Sequence, residues 1–417
     1  GYVGDTNTLT TYLETITATD SVTAFGTTTI LITVNPKIVI TGGSSTLTTT
    51  RGLAIYSSPF TANLGTNTLV FSISPNVSGI SIGASSGIVA VDSATAAGTY
   101  YESVTATDSV TSLTKVPITI IVNPEVVVSG PTSIATTHTI ETTTAAFTSA
   151  NGTGSRTLSM SGSVDAGITF DTVTSKIRIA SSVPAGIYYE TITSTDSLGA
   201  IGTRMITITV NSDVLVTAGS SIETTFGISK NSVAFVGTNG TGTKTYSISP
   251  TVSGITINAT TGVVNASSTL GFDTTTTTYL ETITATDSVG FIAQTTMLVT
   301  VNRSIVMSGG SNVTTTRGRA DSSTAFVATY GTGTKTFTIS PNVSGITVNS
   351  STGVVSVAAT TAAGTYIETV TATDSVTATG KIALTIVVNP EIQISGGATL
   401  YTTVTIPRSS VPFTQVA

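Results

Sequence analysis

The acidic residues of this chain are concentrated in one short motif that the sequence repeats five times. The motif is tyrosine, any residue, glutamate, and then a threonine-rich stretch that ends in Thr-Asp-Ser. It occurs at 12–21, 100–109, 188–197, 279–288 and 366–375, and it holds ten of the chain's 21 carboxylates. Successive glutamates of the motif are 88, 88, 91 and 87 residues apart. A fixed period in this range indicates tandem repeats.

Carboxylates that recur in this way could bind calcium, a cation that takes oxygen ligands. In an extended strand, Glu102 and Asp108 share one face and lie about 20 Å apart, near opposite poles of a repeat. The glutamate of one repeat, the asparagine that ends it and the aspartate of the next repeat could then meet at a joint. Two carboxylates and one amide are too few ligands for tight binding, so the pattern predicts weak calcium groups: Glu14, Asn35 and Asp108; Glu102, Asn123 and Asp196; Glu190, Asn211 and Asp287; Glu281, Asn302 and Asp374.

The same carboxylates also have a purely structural interpretation. An aspartate followed by serine commonly begins an Asx turn into a hairpin. Each glutamate would share the inward face of its strand with apolar residues and would accept hydrogen bonds from a neighbouring backbone or hydroxyl group, because an unpaired buried carboxylate is costly. No cofactor is expected under this interpretation.

The remaining residues of the sequence offer few candidates for catalytic groups. His138 is the single histidine and lies in a threonine-rich stretch, where we expect a strand or surface role. Cysteine is absent, so there is neither a thiol nucleophile nor a disulfide. No GxSxG motif suggests a nucleophile elbow. These observations predict that the protein is not an enzyme.

Nine Asn-x-Ser/Thr sequons make glycosylation a further candidate modification. The asparagines are Asn76, Asn151, Asn239, Asn258, Asn265, Asn302, Asn312, Asn342 and Asn349. Asn76 and Asn342 are the best candidates because their surroundings predict surface loops. The threonine-rich surface equally permits O-linked sugars.

The composition suits an exposed extracellular protein. Only 9% of residues are charged, against roughly 25% in an average soluble domain, so hydroxyl and amide groups hydrate the surface. The 15 lysines and arginines do not cluster, which argues against a nucleic-acid partner. The longest apolar runs are of strand length, so no segment is expected to span a membrane. The opening GYVGDTNTLT lacks the pattern of a signal peptide, so an export signal is expected upstream or removed on maturation.

Short alternating strands are predicted throughout each repeat. Ile118, Ile120 and Val122 fall on one face, which is the period of a half-buried strand. Seven or eight such strands per repeat, separated by turn signals and without helical periodicity, indicate an antiparallel β-sandwich. The predicted divisions are 1–36 (the C-terminal part of a repeat), the complete repeats 37–124, 125–212, 213–303 and 304–390, and 391–417 (the N-terminal part of a repeat).

The residues of a complete repeat resemble a known family. GISI and GIV, followed by AAGTYYESVTATDS and a terminal TIIVNP, are similar to the Ig-like, cadherin-like tandem domains of bacterial and archaeal surface proteins. The resemblance extends over 37–390, and the repeat 125–212 departs most, with SGSVDAGITF in place of SPNVSGISI. It implies an all-β tandem array of Ig-like sandwiches that forms an elongated rod. The aspartate of TATDS matches a calcium-binding aspartate of cadherins, but DRE is missing, and VNP stands where a longer acidic linker would be.

The two partial repeats leave two interpretations open. The chain is an excerpt from a longer array, or the partial repeats of successive copies meet in trans by strand exchange. Against exchange, the two parts together lack the segment that corresponds to about 64–86.

The predicted function is that of a non-catalytic extracellular structural protein, the repeat shaft of a microbial surface filament or adhesin stalk. Its expected partners are copies of itself or further repeats of the same chain. The alternative is a cell-surface binding module for polysaccharide or a partner cell, stiffened by calcium.

Overall fold

The computed structural model describes residues 8–162, 165–217, 219–397 and 399–416. In these ranges the chain consists of strands, turns and loops, without a helix, so none of the described residues forms a helix that could cross a membrane. The chain divides into two compact units, Gly1–Ser212 and Asp213–Ala417. Each unit contains two of the segments predicted as complete repeats.

The first unit begins with a hairpin and continues with nine strands in each complete repeat. The hairpin pairs β1 (Thr10–Thr19) with β2 (Phe25–Val34). The repeat 37–124 contains β3 (Val39–Gly42), β4 (Thr46–Thr50), β5 (Ile55–Tyr56), β6 (Phe60–Asn63), β7 (Val70–Ser74), β8 (Ile80–Ile82), β9 (Val89–Val91), β10 (Gly98–Thr107) and β11 (Leu113–Asn123). The repeat 125–212 contains β12 (Val127–Ser129), β13 (Ser133–Thr137), β14 (Thr142–Thr143), β15 (Thr148–Ala150), β16 (Arg156–Gly162), β17 (Ile168–Asp171), β18 (Lys176–Ile179), β19 (Gly186–Asp196) and β20 (Ile201–Asn211).

The second unit repeats this order of strands and ends with a short strand pair. The repeat 213–303 contains β21 (Leu215–Thr217), β22 (Ile222–Thr225), β23 (Lys230–Asn231), β24 (Val236–Thr238), β25 (Thr245–Ser249), β26 (Ile255–Ile257), β27 (Val264–Ala266), β28 (Thr277–Thr286) and β29 (Ile292–Asn302). The repeat 304–390 contains β30 (Val306–Gly309), β31 (Val313–Thr316), β32 (Asp321–Ser322), β33 (Phe326–Thr329), β34 (Thr336–Ser340), β35 (Ile346–Val348), β36 (Val355–Val357), β37 (Gly364–Thr373) and β38 (Thr379–Asn389). The last pair is β39 (Ile394–Ser395) and β40 (Thr414–Gln415).

Each complete repeat has the same sheet topology. In 37–124 the large sheet has the order β4-β11-β10-β7, while β5-β9-β8 and β3-β6 form smaller sheets. The long hairpin β10–β11 carries the repeated motif, and Glu102 lies opposite Ile118 in its middle. All pairs are antiparallel except β4 with β11, which is parallel. This parallel strand brings Thr50 beside Asn123, at the end where β11 leads into the next repeat.

The described residues form four hydrophobic cores, one within each predicted complete repeat. In 37–124 the large sheet contributes Val104 and Ile120, and the small sheets contribute Phe60 and Val89, all of them buried. Tyr100 of the motif packs against this core. Its hydroxyl group donates a hydrogen bond to the Ala96 carbonyl at 2.8 Å. The all-β sandwich architecture predicted from the sequence is therefore confirmed.

Two details differ from the prediction. The repeats contain nine strands rather than seven or eight, because each includes a two-residue strand, such as β5, that pairs only with the small sheet. The repeat 125–212, whose sequence departs from the pattern, extends β16 to Gly162, which lies opposite Glu190. The corresponding strand β7 stops at Ser74, before a cis proline.

Candidate functional site: the joints between neighbouring repeats

The aspartate of each motif folds the turn that follows it. The Oδ1 atom of Asp108 accepts hydrogen bonds from the backbone N–H groups of Val110 at 3.1 Å and Ser112 at 2.9 Å. Asp196, Asp287 and Asp374 make the same pair of bonds two and four residues onward. This is the Asx-turn geometry predicted for Asp-Ser, and it positions the second carboxylate oxygen.

The second carboxylate oxygen binds a threonine in a glycine-containing loop of the same repeat. Oδ2 of Asp196 accepts the backbone N–H of Thr153 at 2.8 Å. Gly152 precedes this threonine with a φ of +76°, and an added Cβ there would lie 3.0 Å from Asp196 Oδ2. The equivalent bonds join Thr66 to Asp108, Thr241 to Asp287 and Thr332 to Asp374, at 2.8–2.9 Å.

A threonine of the preceding repeat completes the site. Thr50, at the end of β4, donates its hydroxyl hydrogen to Asp196 Oδ2 at 2.6 Å and lies 2.7 Å from Thr153 Oγ1. Asn123, its neighbour at the end of β11, donates from Nδ2 to Thr153 Oγ1 at 2.8 Å. The two strand ends of one repeat therefore bind the turn and loop of the next repeat directly.

The second unit contains the same joint, built from different residues. Thr225 donates to Asp374 Oδ2 at 2.6 Å and lies 2.8 Å from Thr332 Oγ1. Asn302 donates to Thr332 Oγ1 at 3.1 Å. Ile228 also packs against the core of the following repeat. We call the set of Thr50, Asn123, Thr153 and Asp196, with its counterpart Thr225, Asn302, Thr332 and Asp374, the threonine–aspartate joint.

The buried aspartates of this joint are held in the ionised form. Burial raises the pKa of Asp196, but the hydrogen bonds from Thr50, Thr153, Leu198 and Ala200 together outweigh burial and lower the pKa below its ordinary value. The balance at Asp374 is the same. An O–H···O⁻ distance of 2.6 Å is typical of a charge-assisted hydrogen bond, so the joint combines a buried anion with donors from both repeats.

The motif glutamates lie away from the joints, which corrects the predicted three-residue groups. Glu102 opposes Ile118, five residues before Asn123 on the same strand, so their backbones are about 16 Å apart. Glu14, Glu190 and Glu281 have the same offset from Asn35, Asn211 and Asn302. The prediction placed the glutamate at a pole, whereas it occupies the middle of a long strand.

In the groups of Asn35, Asn123 and Asn302, the asparagine and the aspartate bind the same threonine. Asn35 and Asp108 both bind Thr66, as Asn123 and Asp196 both bind Thr153 and as Asn302 and Asp374 both bind Thr332. In the fourth group, Asn211 donates to the Thr136 carbonyl at 3.3 Å. No cluster of three or more His, Cys, Asp or Glu side chains occurs among the described residues.

Three buried glutamates differ from the expected hydrogen-bonding role. Glu102, Glu281 and Glu368 are at most 2% exposed, and within the described ranges no group donates a hydrogen bond to their carboxyl oxygens. Burial raises the pKa of each. Glu190 is equally buried, at 1%, whereas Glu14 in the β1–β2 hairpin is exposed.

The remaining candidate residues lie on turns and surfaces. His138 is half-buried in the turn that follows β13, not in the strand. Its backbone N–H donates a hydrogen bond to the Asn211 carbonyl at 2.8 Å. Most sequon asparagines are exposed, namely Asn76, Asn151, Asn239, Asn258, Asn312, Asn342 and Asn349. Asn265 and Asn302 are half-buried and donate hydrogen bonds from their Nδ2 atoms.

Sequence reasoning missed the threonines of the joint. Thr50 and Thr225 end the second strand of their repeats, and Thr153 and Thr332 follow an Asn-Gly or Tyr-Gly pair. When the repeats are aligned with each other, threonine recurs at these positions, but threonine is so frequent in the chain that the recurrence is inconspicuous.

No protein-family model matches the chain, and no curated protein matches its sequence. Solved structures of tandem cadherin and immunoglobulin domains do match. The human Desmocollin-1 ectodomain is 13% identical with a TM-score of 0.29, covering 80% of this chain and 78% of that chain. Sidekick-1 immunoglobulin domains 1–5 are 11% identical with a TM-score of 0.36, covering 91% and 93%. Drosophila N-cadherin EC1-4 is 13% identical with a TM-score of 0.23, covering 78% and 93%. At these values the matched proteins' functions do not transfer to this chain.

Proposed function

We propose that the protein is a non-catalytic extracellular structural protein, the repeat shaft of a microbial surface filament or adhesin stalk. The observation that supports this most directly is the threonine–aspartate joint, in which a hydroxyl group of one repeat binds a buried carboxylate of the next at 2.6 Å in each unit. A joint of direct, short hydrogen bonds limits bending between neighbouring repeats, which is what a load-bearing shaft requires.

The use of the acidic residues also supports a structural role. Asp196 and Asp374 accept hydrogen bonds in turns and joints, whereas Glu102 and Glu281 are buried in hydrophobic cores. None of these carboxyl groups faces a cleft in which a substrate could be activated. The low content of charged residues, 9%, fits a surface hydrated by hydroxyl and amide groups outside the cell.

A polysaccharide-binding role is the second candidate, and one surface feature favours it. A shallow groove of about 600 Å³ lies on the small sheet of the repeat 213–303 and is lined by Asn231, Thr256, Asn258, Thr261 and Asn265 among others. Amide and hydroxyl groups of this kind bind sugar hydroxyls. Glycan-array binding that is lost in Asn231→Ala would favour this candidate over a purely structural shaft.

Electron microscopy of the native material tests the main proposal. Negative staining combined with antibody labelling of intact cells is expected to show labelled fibres or stalks that project from the surface. Long uniform fibres would identify a filament, and short rods anchored on cells would identify a stalk. Label confined to the cell interior would contradict the proposal.

A further inference from the structure

One position of the repeated motif has no role in the cores or in the joints. It lies between the tyrosine and the glutamate, and the predicted complete repeats carry Tyr101, Tyr189, Leu280 and Ile367 there. Side chains alternate across a strand, so this residue points away from the buried glutamate beside it. The four side chains are 76%, 59%, 66% and 72% exposed. A large apolar side chain is therefore held in solvent at the same place in each of these repeats.

The strand around this position otherwise carries hydroxyl groups on its outward side. On β10 the outward residues besides Tyr101 are Thr99, Ser103, Thr105 and Thr107. On β28 and β37 every other outward residue is threonine, and β19 differs only in one isoleucine. Single exposed apolar residues are common on protein surfaces. Recurrence at one position, among threonines, indicates that this position has a role.

A second apolar residue lies beside it on the neighbouring strand. Leu280 pairs directly with Leu298, which is 44% exposed. In the other repeats the second residue is a diagonal neighbour, two positions before the residue that pairs with the first. Diagonal neighbours are about 7–8 Å apart, within reach of large side chains. We call these exposed pairs the motif patches: Tyr101 with Pro117, Tyr189 with Met205, Leu280 with Leu298, and Ile367 with Ala383.

The outward side of the large sheet carries little charge. In the strands of the four large sheets, alternation places the charged residues Lys115, Glu223 and Lys381 on this side, and none in the repeat 125–212. The chain has 15 basic and 21 acidic residues, so most of its charge lies elsewhere. Two copies that each carry a net charge of −6 therefore bring the fewest like charges together when they meet through this side.

One motif patch is too small to hold a partner by itself. An aromatic side chain buries about 150–250 Å², so two side chains supply less than the roughly 800 Å² that each partner of a stable interface buries. Several patches must act together, and their contributions then combine. The patches recur at separations of 88, 91 and 87 residues. A second copy of the chain carries the same patches in the same order and at the same separations, which an unrelated partner does not.

We propose that the chain associates laterally with a second copy through the outward sides of the large sheets, with the motif patches of the two copies in contact. Sheets that pack face to face lie about 10 Å apart, and the small serine and threonine side chains around each patch allow this approach. The same surface then serves both partners, as in a two-fold interface. This inference rests on the proposed function, since it names the contact through which shafts form bundles.

Other occupants fit this surface less well. Sugar binding on an open sheet would call for aromatic rings, which Leu280 and Ile367 do not offer. Binding to a membrane surface draws on a broad apolar face together with many basic residues. Here threonines surround each patch, and alternation places at most one lysine on the outward side of a large sheet. These features favour a second copy of the chain.

Sedimentation velocity of the full chain tests the association, and we expect the weight-average mass to rise with protein concentration. The face variant changes the net charge from −6 to −2 by four substitutions: Tyr101→Lys, Tyr189→Lys, Leu280→Lys and Ile367→Lys. Its association constant is expected to fall at least about tenfold, because like charges then face each other across the contact.

The matched control adds four lysines at exposed apolar positions outside the large sheets, one in each repeat: Tyr56→Lys, Val173→Lys, Val233→Lys and Val327→Lys. It has the same net charge as the face variant, and we expect it to associate like the unsubstituted chain. A chain that stays monomeric at every concentration would overturn the inference. An equal loss of association in the control would overturn it as well.

A charge-reversal experiment separates loss of the contact from loss of the fold. The reversed variant replaces the same four motif residues by glutamate, which gives a net charge of −10. Each variant alone is expected to be monomeric, whereas a mixture of the two should associate, although both are negative overall. Because the four side chains are exposed, circular dichroism should show an unchanged fold. A mixture that stays monomeric would contradict the contact.

Electron microscopy separates this inference from the proposed function. Bundles of shafts that become single shafts in the face variant would support the lateral contact. Fibres or stalks of the unsubstituted protein that remain single at every concentration would leave the proposed function standing and the lateral contact wrong. A monomeric chain that binds neutral lipid vesicles, and loses this binding in the face variant, would assign the surface to a membrane and overturn the inference.

Discussion

The hydroxyl group of Thr50 lies 2.6 Å from Oδ2 of Asp196, a residue 146 positions further along the chain. Thr50 is 0% exposed and Asp196 is 6% exposed, so water cannot replace this donor without opening the joint. The contact joins the second strand of one repeat to the turn of the next, and Thr225 and Asp374 reproduce it at 2.6 Å. We therefore expect this side-chain pair to contribute to the coupling between the stabilities of neighbouring repeats.

Replacing Thr50 by valine tests this coupling. Valine keeps the shape but removes the donor, so Asp196 retains only its backbone hydrogen bonds at 2.8–2.9 Å. We expect the free energy of unfolding of this unit to fall by about 1–3 kcal/mol, measured by chemical denaturation. Thr50→Ser should restore most of it. Thr48→Val is the matched control on the same strand, and an equal loss in that variant would contradict the role of the joint.

The fold was predictable from the sequence, whereas the joint was predictable only in part. The period of the glutamates and the alternation of Ile118, Ile120 and Val122 specify repeats and half-buried strands. The parallel pairing of β4 with β11 leaves no such pattern, because alternation indicates which face is buried but not which strand lies alongside. Thr50 was missed for that reason, since only this pairing brings it to the joint.

Each complete repeat is expected to unfold around its own core. Ile283 is 0% exposed in the core of the repeat 213–303, and truncation of such a residue to alanine typically costs about 2–5 kcal/mol. We predict that Ile283→Ala lowers the temperature of one calorimetric transition most, and that the repeat joined to it through Thr225 and Asp374 shifts less. Ile292→Ala, at a site 56% exposed, is the control. A uniform shift of all transitions would show that the repeats unfold as one body.

Calcium should have little effect on stability. Both carboxylate oxygens of Asp196 and of Asp374 already accept hydrogen bonds from protein donors, and the motif glutamates lie about 16 Å away along their strands. We predict the same melting temperature in EDTA and in millimolar calcium. A rise with calcium that disappears in Asp196→Asn would show that the joint exchanges its donors for the metal.

Where the source organism glycosylates asparagine, we expect sugar on exposed asparagines rather than on those whose Nδ2 atom already donates hydrogen bonds. Asn76 and Asn342 are exposed, whereas Asn265 Nδ2 donates to Ser229 and Asn231, and Asn302 Nδ2 donates to Thr332 and Glu223. A glycan on Nδ2 would break these bonds. Glycopeptide mass spectrometry is expected to find sugar at Asn76 or Asn342 and none at Asn265 or Asn302, and the reverse pattern would contradict this assignment.

The buried glutamates should make the protein less stable as the pH rises. Burial raises the pKa of Glu281 in the folded state, so its contribution is fully present below the ordinary glutamate pKa of about 4.3. The contribution is lost as the pH rises through the raised folded value, because an unpartnered carboxylate must then ionise inside the core. The slope of unfolding free energy against pH from one such group is at most about 1.4 kcal/mol per pH unit.

Glu281→Gln removes the titrating group and retains its shape, so this slope is expected to decrease in urea titrations run from pH 4 to pH 9. Glu14→Gln is the matched control, because Glu14 occupies the same motif position but is exposed in the β1–β2 hairpin. We expect the control to unfold with the same pH profile as the unsubstituted protein. An unchanged slope in Glu281→Gln would show that a donor or a water molecule reaches the Glu281 carboxyl group. The core would then not favour the neutral form of Glu281 over the ionised form.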